Sequence, residues 1–304
     1  MAEPIPLSDA PARAVLGRRP RPRWLKLLIA DRRASIGLVV LVVMVLAAVL
    51  APYVAPANPD SMAFAMLKAP SWHHLLGTDD LGRDLLSRVI YGARVSLFVG
   101  VATVASSMIV GVAMGVLAGY YGGWLDTIIM RYIDLQWAFP NFIIAVYLVA
   151  VFGAGLSNVI IAIALAFLDD FARIARGMVL TIRELAYVEA ARSLGASDLR
   201  LMLRHILPNA MAPLIVQATV SVSYAILAEA GLSFLGLGVK ASTPTWGLIL
   251  SDGRSFITRA WWLGIFPGVA IMITVLSINF FGDYLRDLLD VRETSSSQSS
   301  GDAR

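Results

Sequence analysis

Long uncharged runs alternate with short charged stretches along this chain, and the runs have bilayer-crossing lengths. About 20 apolar residues in a helix cross ~30 Å of hydrocarbon. By that measure the first span lies within Ala34 to Pro59, with its apolar stretch from Ile36 to Val54, and the second runs from Val95 to Leu125. The run from Leu135 to Leu168 is too long for one helix. Gly153, Gly155 and Asn158 supply a turn, so it reads as a hairpin of spans three and four, the latter continuing to about Gly177. Ile206 to Ala228 gives span five and Ala260 to Gly282 span six. The pattern predicts an all-α polytopic membrane protein with six transmembrane helices.

Composition agrees. Hydrophobic residues make up 58% of the chain and charged residues 15%, with mean hydropathy +0.73. A soluble domain carries ~25% charged residues, and a water-soluble fold cannot hide this much apolar surface. The first span is preceded by some 34 mostly polar residues and is too long for a signal core, so it is read as a retained helix.

The net charge is +4, and its placement matters more than its size. In a soluble chain such a balance hints at nucleic acid; here it sets orientation, because cationic loops stay in the cytoplasm. Arg13, Arg18, Arg19, Arg21, Arg23, Lys26, Arg32 and Arg33 precede span one. Arg173, Arg176, Arg183, Arg192, Arg200 and Arg204 surround the loop between spans four and five, with Arg131 and the C-terminal Arg286, Arg292 and Arg304 on the same side. The opposite side carries fewer: Lys68, Arg83, Arg88, Arg94, Lys240, Arg254 and Arg259. Both termini are therefore expected inside. Residues 1–34 form a cytoplasmic segment, 35–94 the first helix and an extracytoplasmic loop, 95–290 the main transmembrane domain, and 291–304 a tail without a core, expected to be disordered.

The longest inward loop, 181–209, reads TIRELAYVEAARSLGASDLRLMLRHILPN. Leu185, Val188 and Leu194 fall near one helical face. Gly195 interrupts, Ser197 can cap a second short helix, and Leu199, Met202, Leu203 and Ile206 follow at helical spacing. Pro208 is read as releasing the chain toward span five. Two short amphipathic helices bent at a glycine suit either the headgroup layer or a soluble partner. Small residues at Ala190, Ala191 and Gly195 allow close approach, and Glu189 offers a charged anchor.

Glu189-Ala190-Ala191, Gly195 and the later Ile206-Leu207-Pro208 resemble the EAA loop of ABC importer permeases, with His205 standing where the general pattern has isoleucine. Leu76 to Asp84, Tyr91 to Leu97, Glu229 to Gly238 and Pro244 to Gly247 resemble the dipeptide, oligopeptide and nickel branch, second permease type. Leu168 to Arg173 departs from it, since that family more often places Trp or Gly and Tyr there. The resemblance implies a type I ABC importer permease (MetI-like) core in a bacterial inner membrane. It implies a homologous permease partner in a heterodimer, two ABC ATPase subunits and an extracytoplasmic binding protein. Glu189, Ala190, Ala191, Gly195, Leu207 and Pro208 would couple to the ATPases, and di- or oligopeptides are the default cargo. Related permeases carry nickel chelates, opines, glutathione or sugars.

Other residues have plainer readings. Gly111, Gly115 and Gly119 recur every four residues and mark a close helix contact, within the chain or with the partner permease. Asp169 and Asp170 are expected to pair with Arg173, with a proton-coupling role as the alternative. Glu229 is the candidate to face the pathway, with a hydrogen bond tying the following loop as the alternative. Asp79, Asp80 and Asp84 with Arg83 and Arg88 brace the approach to span two, and His73-His74 is taken as surface. Trp261, Trp262, Tyr120 and Tyr121 are placed at the membrane interfaces.

No phosphate-binding loop, HExxH or GxSxG motif occurs, and cysteine is absent. No catalytic residue, metal or cofactor is expected. ATP would be hydrolysed by partner subunits. A self-sufficient secondary transporter or channel is the alternative, and it predicts an internal inverted repeat, of which the sequence gives no clear sign. A membrane-embedded enzyme or scaffold is a third class.

Overall fold

A computed structural model describes Leu28, residues 31–239 and residues 243–289. The expectations for the N-terminal segment before Leu28, for Lys240 and for the tail beyond 290 lie outside the described residues. Secondary structure within them is helical, with a single isolated bridge between Thr78 and Asp84.

Span one is α1, Arg32–Val49, capped by the Asp31 carboxylate on the amides of Arg33 and Ala34. A short turn of helix, α2, follows at Ala51–Val54. Span two is α3, Leu85–Tyr121, which begins ten residues before the hydrophobic run. Asp84 moves that start: its carboxylate accepts from the backbone amide of Ser87 at 2.9 Å and from the hydroxyl at 2.8 Å. Span three is broken. Its halves are α4, Gly123–Trp137, and α5, Asn141–Phe152, bent by 94°, because Pro140 cannot continue a helix. Span four comprises α6, Leu156–Ala166, and α7, Leu168–Ile182, interrupted at Phe167. Among the described residues four helices (α1, α3, α9 and α11) are long and apolar enough to cross a membrane, and the bent pair, counted as one span, makes five. The six-span reading needs α6 with α7 as the remaining one.

The loop after α7 holds α8, Ala186–Ser193, then α9, Asp198–Phe234. The second loop helix is not separate from span five. Leu201–Ile206 form a π-helical turn that passes directly into Leu207–Phe234. Pro208 and Pro213 lie inside this continuous helix. The widened turn leaves room for the ring of Pro208, and its missing N–H falls where the bonding pattern changes. On the other side α10, Trp246–Gly253, leads to span six, α11, Trp262–Leu289.

The core lies between α3, α7 and α9. Gly111, Gly115 and Gly119 press against α7: a Cβ on Gly111 would meet Leu168 O and Phe171, one on Gly115 would meet Ala172 O, and one on Gly119 would stand 2.9 Å from Val179 Cβ. The stripe therefore serves packing within the chain. Span one packs peripherally on α11 and α3, where Leu28, Ala34 and Tyr284 bury one another.

The loop between spans one and two is tightly built. Thr78 Oγ1 donates to Ala65 O at 2.6 Å and accepts from the Lys68 amide at 2.8 Å. Trp262 was expected in an interfacial belt. It is buried instead, its indole N–H bonded to Thr78 O at 3.1 Å, while Trp261 stays half exposed. His74 is likewise no surface residue: only 8% exposed, it lies 3.1 Å through Nδ1 from Asp84.

Candidate functional site

Ends of α3, α7, α8 and α9 converge at the loop over 181–209. Arg183 at the end of α7 donates from Nη1 to Gly119 O at 2.7 Å. Tyr120 donates its hydroxyl proton to Asp198 at 2.6 Å, and the Arg192 guanidinium lies 5.9 Å from the Tyr120 ring. One turn into span three, Asp126 takes both nitrogens of the Arg176 fork at 2.6 and 2.7 Å. Tyr120, expected at a membrane interface, is thus part of a polar strap between span two and the loop. Spacing along one segment could not reveal partners 78 residues apart.

Within this frame α8 is held on one side and open on the other. Val188 is fully buried in the core, and Ala191 packs against its edge. Asn209 Nδ2 donates to the Tyr187 hydroxyl at 3.1 Å and to His205 O at 2.6 Å, tying α8 to the π turn. Glu189 and Ala190 are exposed. Tyr120, Arg183, Glu184, Glu189 and Arg192 line a polar cavity of about 300 Å³ beside the helix. Leu207 is half-buried and Pro208 exposed, so these two stand at the root of span five rather than on α8.

Gly195 ends α8 with φ +83°, a left-handed conformation that an L side chain rarely adopts. The Gly195 amide donates to Arg192 O at 2.9 Å and that of Ala196 to Ala191 O at 3.1 Å, closing the helix end. Space around Gly195 is open, with nothing within 4 Å of an added Cβ. One expectation fails here. Leu194 does not share the buried face of Val188; it is 89% exposed, because α8 stops at Ser193 and the helical register is lost. Its side chain stands out at the tip of a braced loop. Helical spacing hid this residue.

The membrane-embedded charges are also rearranged. Arg173 does not pair with Asp169 or Asp170. Its Nη2 lies 2.9 Å from Asp134 on α4, and its guanidinium stacks 4.0 Å over the Trp137 ring. The bend in span three brings those groups within reach. Asp170 instead accepts from Gln217 on α9 at 3.3 Å, and Asp169 is fully buried. Glu229 faces no open pathway in this conformation: it is fully buried, accepting from Ser233 at 2.7 Å and Ser96 at 3.3 Å. Ser96 in turn accepts from the Trp246 amide at 3.3 Å, so Glu229 ties span five to span two and to the start of α10. Among the described residues, no group of three or more His, Cys, Asp or Glu could hold a metal ion.

Comparison with known proteins places this arrangement. A family model described as binding-protein-dependent transport system inner membrane component matches residues 111–294. A second, described as the N-terminal TM domain of oligopeptide transport permease C, matches residues 23–70. A putative peptide transport system permease protein of Brucella abortus is 46% identical over 91% of this chain and 94% of its own. A di/tripeptide transport system permease protein of Pseudomonas aeruginosa is 48% identical over 84% of this chain and 86% of its own. Among solved structures, a chain of the MetNI methionine ABC transporter in an inward facing conformation shares the fold, with TM-score 0.53 and 20% identity. It covers 66% of this chain, which covers 96% of it.

Proposed function

The chain belongs to the family of binding-protein-dependent transport system inner membrane components, and from that premise we propose that it forms half of the translocation pathway of an ATP-driven peptide importer. Membership makes it a multi-pass membrane subunit without catalysis of its own, working with separate ATPase and substrate-binding proteins. Di- or oligopeptide cargo is supported by relatives above 40% identity whose names specify peptides and by their near-complete coverage. A homologous permease completes the pathway, two ATPase subunits sit below and one binding protein docks above. Both termini face the cytoplasm, in keeping with the cation distribution and with Leu28 packing beside Tyr284 near the two chain ends.

The observation that carries the reading is the braced loop itself. Glu189, Ala190, the tip Leu194 and Gly195 form an exposed rim, while Val188 and Ala191 anchor the same turn in the core. A short helix seated in an ATPase groove and tied to the ends of spans two, four and five transmits motion to all three. Glu229 acts as a fastening of the outer ends, beside the pathway rather than in it. Affinity purification of the tagged chain from its native membrane tests the assembly. A stable complex with a related permease and two copies of an ABC ATPase is expected. Recovery of the chain alone, active in solute uptake, would overturn it.

A further inference from the structure

The stripe of Gly111, Gly115 and Gly119 turns one face of α3 toward α7. Ala105, Ile109, Ala113 and Leu117 also recur four apart, on the far side of the helix, and line a groove against α9. The two antiparallel helices touch where Gly100 stands against Ile226, and again where Tyr120 bonds to Asp198. Between those contacts they part. The groove runs from Ala105 to Leu117 on α3 and from Leu199 to Met211 on α9. Its volume is about 560 Å³, and every side chain lining it is apolar.

Such a groove in a multi-pass membrane protein holds either hydrocarbon or another helix, and its shape decides between them. A helix rises ~18 Å from Ala105 to Leu117, so the groove averages only about 6 Å in width, against about 10–12 Å for a helix with its side chains. The length matches one leaflet, about half of the ~30 Å hydrocarbon core. An extended acyl chain fits these dimensions.

The charge at one end selects the headgroup. Arg200 and Arg204 directly follow Leu199 and Leu203 of the groove wall, so they lie one above the other along its edge. Both are exposed, and neither has an ion-pair partner among the described residues. Asp198 is engaged by the Tyr120 hydroxyl at 2.6 Å, while Glu184 and Glu189 line the separate polar cavity with Arg183 and Arg192. Two such cations at the mouth of an apolar slot suit a phosphodiester with a hydrocarbon tail. We infer that the groove is a site for an anionic phospholipid, one acyl chain lying between α3 and α9 and the phosphate at Arg200 and Arg204. With this end toward the cytoplasm, as proposed above, the lipid belongs to the inner leaflet.

The chain has no cysteine, so Ala113→Cys places a single photoreactive label on it, at an exposed position inside the groove. Val43→Cys, exposed on span one, reports the surrounding lipid. The full chain, purified with the partners it retains, is placed in vesicles of phosphatidylglycerol and phosphatidylethanolamine, equal in amount and identical in acyl chains. Illumination should give lipid adducts at both positions, with the two lipids equal at Val43. At Ala113 the anionic lipid should be favoured about fivefold or more, since one arginine at a bilayer surface supplies a factor of about five. Arg200→Gln combined with Arg204→Gln should bring the ratio at Ala113 to that at Val43, while the protein inserts and purifies as before. Equal ratios with both arginines present, a preference that survives their loss, or no lipid adduct at Ala113 would each overturn the site. An adduct with the partner permease would do so too, by assigning the groove to that subunit. Uptake plays no part in the readout, so this site and the importer reading stand or fall separately.

Discussion

Gly195 shows how one position carries two different constraints. Its φ of +83° makes any L side chain strained by ~1–2 kcal/mol, yet the space around it is open. Gly195→Ala should therefore keep a substantial share of transport, paying only strain. Gly195→Arg should abolish transport and its coupling to ATP hydrolysis while the chain still inserts and folds, because the long side chain occupies the rim where a partner seats. Uptake and ATP hydrolysis measured side by side decide this. Equal loss in both variants would assign the position to backbone conformation alone. The glycine was visible from its place after an Ala-rich helix; Leu194 next to it was not, since spacing assigned it to a face that the helix never completes.

At the scale of elements, the strap between α3 and the loop is the feature that tertiary contact alone supplies. Tyr120 and Asp198 meet at 2.6 Å, and a hydrogen bond to a charged group contributes about 1.5–3 kcal/mol. Tyr120→Phe removes the hydroxyl and keeps the ring under Arg192. It should leave the fold and ATPase binding intact but lower uptake per ATP severalfold, because span two no longer follows the loop. Transported peptide per ATP hydrolysed is the measurement, and an unchanged ratio would show the strap to be passive. Span boundaries follow the same logic. Asp84 extends α3 outward by a cap, and the π turn fuses the second loop helix to span five. Hydropathy marks where lipid lies, and caps and bulges decide where helices begin and end.

Across the whole molecule, the polar ties sit at the two ends and the close glycine packing in between. The inner end gathers Tyr120, Arg183, Arg192 and Asp198; the outer end gathers Asp79, Arg83, Arg88 and Asp252. The purified chain in vesicles should accumulate no solute. Adding the partner permease, ATPases, loaded binding protein and ATP should restore uptake, whereas gradient-driven accumulation by the chain alone would make it a secondary transporter.

The amino-acid sequence by itself determined the membrane environment, the helical class, the glycine stripe and the short helix ended by Gly195, because these depend on composition and on residues a few positions apart. It did not determine which groups meet across the fold. Arg173 chose Asp134 over its neighbours Asp169 and Asp170, His74 was drawn inward to Asp84, and Glu229 was enclosed by serines. A polar group pairs with whichever partner the fold brings to the right distance and angle, and that distance is set by the bend in span three and the wedge of α10. Local patterning chooses the solvent for each segment; only packing chooses its partner.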